Sequence, residues 1–445
     1  MSTVLIQNAN IVTMNSNRDV VSGHIYIEKD RIVSVGDQPE KAKGADKVID
    51  AKGQVVIPGL IQTHIHLCQS LFRGQADDLE LLDWLRMRIW PLEGAHDPES
   101  VYHSALLGIG ELFRGGTTSI IDMETVHHTE SAFEAIIQSG IRAISGKCMM
   151  DWGEGVPDTL LENPEASLQE SVDLLEKWHG ASGGRLMYAF TPRFAVSCSE
   201  DLLKEVGKLA QKYKVKIHTH ASENQGEIAL VESERRFRNV LYFDHLGLAS
   251  KDLILAHCIW LNEPEMEIIQ KKQIKVVHCP SSNLKLASGI AQIPEMMKRG
   301  IRVGIGADGA PCNNNLDPFV EMRTAALIQK PLHGPTSMPA ERVFEMATVN
   351  GAAVMGLSEE IGTLEPGKKA DLVMVDLHKL HCTPITGSNI YARLVYEAHS
   401  SDVTLTMVDG RIVFENGRLT TIDEEEVIRN ANRLIGRVYD RAGIK

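Results

Sequence analysis

The sequence predicts an α/β fold, a (β/α)8 barrel joined to a small β domain built from both ends of the chain. Three observations predict this fold. The chain has 445 residues, of which 43% are hydrophobic; its middle alternates short apolar runs with helical patterns; and both termini carry strand-like segments. A chain of this length can bury a large core, and α/β barrels of this size occur as single domains.

Both ends of the chain have the sequence pattern of short strands separated by turns. At the N-terminus the apolar or alternating segments are residues 4–6, 11–12, 24–27 and 32–35. At the C-terminus they are residues 371–375, 403–408 and 411–414. Asp409-Gly410 between the last two segments is a hairpin signal. Because neither end is large enough to bury a core alone, we infer that they form one β domain together.

The middle of the chain has a different rhythm, in which strand-like runs alternate with helices. The eight runs are residues 55–62, 117–121, 142–149, 186–191, 215–220, 253–257, 274–278 and 301–306. Between two of them, residues 199–213 repeat apolar side chains at helical spacing after the capping residue Ser199. Eight such units fit a barrel with insertions. The alternative, an open doubly wound sheet, is weakened because no glycine-rich phosphate-binding sequence follows the first run.

Charge and composition argue against several classes of protein. The chain has 46 Lys and Arg against 59 Asp and Glu, a net charge of -13, which is the opposite sign from a typical nucleic-acid binder. The N-terminus lacks the features of a signal peptide, and no apolar run approaches the ~20 residues that span a bilayer. Seven cysteines without a Cys-x-x-Cys pair indicate reduced thiols. We therefore expect a cytoplasmic protein without nucleic-acid or membrane partners.

Polar side chains gather at the C-terminal ends of the predicted barrel strands. They are His64 and His66 at the first run, Arg193 at the fourth, His218, His220 and Glu223 at the fifth, His257 at the sixth, His278 at the seventh and Asp308 at the eighth. In a barrel these ends meet at one mouth, where active sites lie. We therefore expect residues as distant in sequence as His64 and Asp308 to converge.

The histidine spacing at two of these ends predicts a metal site. His64 and His66 are two residues apart in an extended segment, so both imidazoles point to one face and can bind one cation. His218 and His220 have the same spacing, so either is a possible ligand; we choose His220 and interpret His218 as a hydrogen-bonded core residue. Three histidines with Asp308 suit one divalent ion, Zn²⁺ first and Fe²⁺ as an alternative.

The same strand ends supply groups for acid–base chemistry. A divalent metal of this kind makes hydroxide available from water near neutral pH, and Glu223, which is outside the ligand set, is placed to move protons. Zinc nucleobase deaminases of another fold also combine hydroxide with a glutamate, but their Pro-Cys-x-x-Cys signature is absent here. His257 is a second catalytic candidate, with a structural role as the alternative. His278 is either a structural residue or a substrate contact.

Several of these segments resemble motifs of the amidohydrolase superfamily, in its branch of mononuclear-metal aminohydrolases and chlorohydrolases. The matching segments are residues 58–66, 220–223, 255–258, 306–309 and 362–373. The resemblance covers nearly the whole chain and implies a distorted (β/α)8 barrel beside a β-sandwich built from both termini. It places the first part of the sandwich at residues 1–57, the barrel at 58–364, and the rest of the sandwich with a terminal helix at 365–445.

The resemblance also implies roles for individual residues. The metal ligands would be His64, His66, His220 and Asp308, and Asp308 would also belong to the catalytic set. Glu223 would move protons, and His257 would position the attacking water or polarise the substrate. Binuclear members carry a modified lysine after the fourth strand, where this chain has Thr-Pro-Arg-Phe at residues 191–194. A single metal is therefore favoured, and ring opening of cyclic amides is disfavoured.

Within that branch the resemblance leaves the substrate open. Residues 71–74, 282–286 and 310–315 are similar to deaminases of 5'-substituted adenosines. Trp84 and Glu93 match a tryptophan and a glutamate that surround the nucleoside, with Glu93 on the sugar hydroxyls. Gln69, Arg193 and Phe194 are instead similar to the residues that hold the base in guanine deaminase. His278 completes the expected substrate contacts.

The resemblance therefore implies an enzyme that deaminates an aminated purine. The favoured substrate is a 5'-substituted adenosine, namely 5'-deoxyadenosine, methylthioadenosine or S-adenosylhomocysteine. Its deamination gives the inosine analogue and ammonia. Guanine deamination and s-triazine amino- or chlorohydrolysis are the alternatives. A non-catalytic scaffold is disfavoured because every implied ligand is present. The expected partner is a small heterocycle, and the resemblance implies a homo-oligomer.

Overall fold

Two sheets organise the computed structural model, which describes residues 3–37, 39–385, 387 and 389–444. One sheet has ten strands, all paired in parallel. Its strands are Leu60–His66, Thr117–Met123, Arg142–Gly146, Cys148–Met149, Leu186–Pro192, Lys216–Ala221, Leu253–His257, Lys275–His278, Val303–Ile305 and Asp308–Gly309. All eight predicted runs contribute to it, so the predicted barrel strands are confirmed.

The parallel sheet closes on itself at the eighth run. Its two ends are Val303–Ile305 and Asp308–Gly309, successive pieces of the same chain segment, and the second piece pairs with the first barrel strand. Gly306 lies between them because a Cβ there would stand 2.5 Å from the His64 carbonyl oxygen. The interruption makes the barrel a distorted one, as the resemblance implies, and brings the eighth strand against the backbone of the first.

Helices connect the barrel strands, and further helices follow the last of these strands. They are Leu81–Trp84, Trp90–Glu93, Pro98–Arg114, Thr129–Ser139, Pro164–Trp178, Ala181–Gly184, Glu200–Tyr213, Gln225–Arg235, Asn239–His245, Glu263–Lys272, Pro280–Lys285, Ile293–Lys298, Ala310–Asn313, Pro318–His333, Ala340–Met346, Val349–Met355, Ile390–Ala392 and Glu424–Ala442. The predicted cap is confirmed, since Ser199 Oγ accepts the Leu202 N–H at 3.2 Å. No helix among the described residues has the length and apolar character needed to cross a membrane.

The second sheet is mixed and takes its strands from both ends of the chain. They are Thr3–Val12, Val20–Glu28, Arg31–Gly36, Lys47–Asp50, Val55–Pro58, Leu372–Val375, Val403–Val408, Arg411–Glu415 and Arg418–Leu419. The two ends meet where Val55–Pro58 runs antiparallel to Leu372–Val375. Ile6 and Ile27 share one buried apolar cluster with Met407. The β domain from both termini is therefore confirmed.

One predicted run divides between the two sheets. Residues 55–62 form Val55–Pro58 in the mixed sheet and the start of Leu60–His66 in the barrel. Gly59 separates the two strands, and a Cβ there would stand 2.1 Å from Thr118 Oγ1. The domain boundaries after residues 57 and 364 stay predictions.

Candidate active site

The structure brings four side chains from three strand ends together inside the barrel mouth. The Nε2 atoms of His64 and His66 each lie 3.3 Å from Asp308 Oδ1. His66 Nε2 also lies 3.3 Å from His220 Nε2. All four side chains are buried. His64 and Asp308, which are 244 positions apart in the sequence, thus face the same point.

The chemistry of this cluster fits a divalent metal ion. The ligand atoms of three of these side chains, His64, His220 and Asp308, lie within 4.8 Å of one another, and that of the neighbouring His257 lies within the same distance of each. His64 Nε2 is buried without a hydrogen-bond partner in the described part of the chain. Burial lowers the pKa of His64 to about 4 and that of His220 well below its usual range. Neutral imidazoles such as those of His64 and His220, together with a carboxylate, are donors that transition metals such as zinc take.

Each histidine of the cluster is held through its Nδ1 atom, which leaves Nε2 directed at the centre. His66 Nδ1 lies 2.8 Å from the Met123 carbonyl oxygen, and His220 Nδ1 lies 2.7 Å from that of Arg193. His64 Nδ1 lies 2.7 Å from His218 Nε2. His218 therefore stands behind the cluster as a hydrogen-bonded core residue. Such outer contacts fix the ring orientation of metal-binding histidines.

Glu223 and His257 stand beside the cluster as a pair. Glu223 Oε2 lies 3.4 Å from His257 Nε2, which lies 3.9 Å from Asp308 Oδ2. Burial raises the pKa of Glu223 well above its usual range, and the negative charges of Asp308 and Glu227 raise it further. A carboxyl group that holds a proton nearer neutral pH is suited to general acid–base catalysis.

Two orienting residues were not found from the sequence. Asn283 Oδ1 lies 2.8 Å from His257 Nδ1, and Ser282 Oγ donates to Asp308 Oδ2 at 2.7 Å. Both belong to the short helix Pro280–Lys285 that follows the seventh barrel strand. In the sequence, these two residues stand out only because they lie in a segment that is similar to the family. That similarity does not show which side chains they contact.

A cavity opens onto the cluster. Its lining residues are His66, Gln69, Leu81, Trp84, Leu85, Arg193, Phe194, His220, Glu223, His257, Leu286 and Asp308. Four of the six expected substrate contacts are in this lining, whereas Glu93 and His278 are not. All six roles stay predictions.

Glu93 lies one layer behind the cavity wall. Its carboxylate pairs with the Arg193 guanidinium through both oxygens and accepts the Gln69 Nε2–H at 2.8 Å. Arg193 and Gln69 therefore face the cavity while Glu93 holds them in place. His278 is buried, neither of its ring nitrogens has a hydrogen-bond partner among the described residues, and burial and His257 lower its pKa to about 3.

A buried carboxyl group beneath the site gives a pH prediction. Glu321 accepts the Asn313 Nδ2–H at 2.8 Å, and burial raises its pKa to about 7. Between its unfolded pKa and about pH 7 the folded protein keeps this proton and the unfolded chain loses it. The free energy of unfolding should therefore fall as pH rises through this range, by at most about 1.4 kcal/mol per pH unit from this group.

Glu321→Gln removes this titration. Its thermal unfolding midpoint should fall less than that of the parent between about pH 5 and pH 7, because the glutamine binds no proton in either state. The exposed Glu267→Gln is the control and should follow the parent. A Glu321→Gln profile parallel to the parent would contradict the assigned titration.

Comparisons with known proteins agree with the fold. The profile of the amidohydrolase family matches residues 55–413. A 5'-deoxyadenosine deaminase of Methanobrevibacter smithii is 41% identical over 438 residues, covering 98% of each chain. A 5-methylthioadenosine/S-adenosylhomocysteine deaminase of Desulfitobacterium hafniense (strain Y51) is 38% identical over 436 residues, covering 97% of this chain and 98% of the relative.

A solved structure has the same fold over the full length. The crystal structure of an adenosine deaminase from Xanthomonas campestris with bound zinc superposes with a TM-score of 0.91 at 30% identity, covering 98% of each chain. The residues that the family profile matches include every residue of the buried cluster. On the family profile, the two relatives and this structural likeness, the chain belongs to the amidohydrolase family.

Proposed function

We propose that this protein is a hydrolytic deaminase of a 5'-substituted adenosine that uses one Zn²⁺ ion. The observation that carries the proposal is the meeting of Glu223 and His257 with the buried histidine and aspartate cluster at one cavity. Relatives named for 5'-deoxyadenosine and for methylthioadenosine and S-adenosylhomocysteine support the substrate class. The related structure with bound zinc supports the choice of ion.

In this proposal the ion is held by His64, His66, His220 and Asp308. A bound Zn²⁺ lowers the pKa of water and so supplies a strong nucleophile near neutral pH. The residues around the cluster then have to bind the purine with its C6 amino group towards Glu223, orient the attacking water and move two protons.

His257 is suited to orienting the water. Its Nδ1–H donates to Asn283 Oδ1 at 2.8 Å, and burial lowers its pKa, so that Nε2 carries a lone pair. Nε2 is buried, and its 3.4 Å contact with Glu223 Oε2 does not have hydrogen-bond geometry. It can therefore accept an O–H of the water that adds to C6 and aim its oxygen at the ring.

Glu223 is suited to moving the protons. Its carboxylate takes a proton from the adding water and delivers it to N1, while the oxygen bonds to C6. The remaining hydroxyl proton then passes to the amino group, and the C6–N bond breaks. Ammonia leaves, and C6 becomes the carbonyl carbon of the inosine analogue, with N1 protonated. Every atom of the water is thereby accounted for in the two products.

The lining offers both a stacking surface and polar contacts for the base. Trp84 and Phe194 present aromatic surfaces, which suit a planar ring. The Arg193 guanidinium supplies donors at the wall, and Gln69 Oε1 is buried without a partner in the described part of the chain. The ring nitrogens of a purine can accept hydrogen bonds from the Arg193 guanidinium, and its amino group can donate to Gln69 Oε1.

The same proposal includes a cytoplasmic location, which the cysteine pattern predicts, and a homo-oligomer, which the family resemblance implies. All seven cysteines lie among the described residues and are free, which supports a reducing compartment. Light scattering after size exclusion would measure the assembly directly. A monomeric mass would contradict the oligomer without affecting the proposed chemistry.

An ammonia-release panel on the zinc-loaded protein tests the function. The substrates are 5'-deoxyadenosine, methylthioadenosine, S-adenosylhomocysteine, adenosine, guanine and an aminotriazine, with chloride release from a chlorotriazine measured in parallel. We expect the highest kcat/KM among the 5'-substituted adenosines. Faster turnover of guanine or of a triazine would contradict the proposal and favour the corresponding alternative.

A further inference from the structure

The C-terminal part of the chain holds a second cluster of potential metal ligands. Among residues 3–37, 39–385, 387 and 389–444, two groups of three or more His, Cys, Asp or Glu place their ligand atoms within 4.8 Å of one another. One is the active-site cluster. The other consists of His381, Cys382 and Asp402, and neither the proposed reaction nor the cavity uses any of these three residues.

The geometry of this second cluster centres on a buried carboxylate. Asp402 is 2% exposed, and its Oδ2 atom lies 2.9 Å from His381 Nε2. The same oxygen accepts the His399 N–H at 2.9 Å, which fixes the carboxylate. Cys382 is 1% exposed. His381 reaches solvent, with 38% of its side chain exposed, so an ion has a route to the cluster.

A second imidazole lies close to the first. The ring of His399 stacks on that of His381 with centroids 4.7 Å apart and ring planes 20° from parallel. His399 is exposed, and its backbone N–H is held by Asp402 Oδ2. The neighbouring His378 is committed elsewhere, since its Nδ1 lies 3.3 Å from Asp376 Oδ1.

The chemistry of the donors selects a class of ion. In a hydrogen bond between an imidazole nitrogen and a carboxylate, a proton lies between the two groups. A metal ion can replace that proton and bind both groups. A thiolate, an imidazole and a carboxylate together suit zinc and similar borderline ions, whereas Mg²⁺ and Ca²⁺ take oxygen ligands.

We propose that His381, Cys382 and Asp402 form a second zinc site, distinct from the active site, with His399 or water as the fourth ligand. The ion would join the short turn Leu380–Cys382 to the residue that precedes strand Val403–Val408. The ion would therefore hold the segment that contains Leu380–Cys382 against the mixed sheet. Because a ligand that binds only the folded state stabilises it, zinc in excess of the catalytic equivalent should raise the unfolding temperature.

Metal analysis after equilibrium dialysis of the full-length protein against a zinc buffer tests this site. We expect two zinc ions per chain in the parent and one in His381→Ala and in Cys382→Ser. His378→Ala removes an exposed histidine from the same loop and should keep two. His381→Ala should retain the deaminase activity of the parent, so loss of this site and failure of the proposed function are distinguishable.

Cobalt gives a readout that does not depend on activity. Protein loaded with Co²⁺ should show thiolate-to-cobalt charge-transfer absorption, which Cys382→Ser should abolish and His378→Ala should retain. One zinc per chain in the parent, or two in both His381→Ala and Cys382→Ser, would overturn the proposal. Cobalt absorption that persists unchanged in Cys382→Ser would overturn it as well.

Discussion

Glu223→Gln should lower kcat by about 10²- to 10⁴-fold, the range that loss of a general acid–base group costs, while the protein keeps its metal. The glutamine amide has nearly the same shape but cannot take a proton from water or deliver one to the ring. Glu223 is buried 3.4 Å from His257, so no solvent-exposed carboxylate can take its place.

Steady-state ammonia release, together with metal analysis of the same sample, measures this effect. Glu232→Gln is the matched control because Glu232 is an exposed residue of the helix that follows Glu223, and its kcat should equal that of the parent. Retained turnover in Glu223→Gln would show that another group moves the protons. Loss of metal in that variant would show that Glu223 is a ligand.

His66→Ala should lose the catalytic metal and with it the turnover. His66 Nε2 lies 3.3 Å from both His220 Nε2 and Asp308 Oδ1, so its removal opens the cluster between two other ligands. Changes in residues that only orient a ligand already weaken metal binding ~10- to 100-fold, and loss of a ligand itself should weaken it more.

The measurement is the number of metal ions per chain after dialysis against a dilute zinc buffer. His66→Ala should hold one ion fewer than the parent. His278→Ala is the control, because His278 is also a buried histidine at a barrel strand end but has no hydrogen-bond partner among the described residues. It should keep the full metal content. Equal metal content in His66→Ala and the parent would remove His66 from the ligand set.

The strands could be predicted where a short apolar run stands between polar segments. The sixth barrel strand, Leu253–His257, has the bounds that its sequence pattern predicts. Residues 55–62 behave differently, since this single apolar run supplies one strand to each sheet. A strand buried on both faces is apolar in either sheet, so the pattern does not show where the chain passes from one to the other. The chain passes between the sheets at Gly59, where a Cβ would stand 2.1 Å from Thr118 Oγ1. This tertiary contact cannot be read from the apolar pattern.

The centre of the site could be predicted because its spacing is local. His64 and His66 share a face of one strand, and the barrel then explains why Asp308 joins them. The residues that orient the site follow no such pattern. Asn283 contacts His257 across two strand ends, and the Glu93 and Arg193 pair joins positions 100 residues apart. Asparagine and glutamate are common in surface loops, so their roles become visible only through the tertiary contacts.

In the proposed enzyme, four side chains at the barrel mouth hold one metal ion. Anomalous diffraction from crystals of the zinc-loaded enzyme, recorded at the zinc absorption edge, would locate that ion. We expect a peak about 2.0–2.2 Å from the Nε2 atoms of His64, His66 and His220 and from an oxygen of Asp308. An active, zinc-loaded enzyme whose anomalous map shows no peak between these four side chains would contradict the claim.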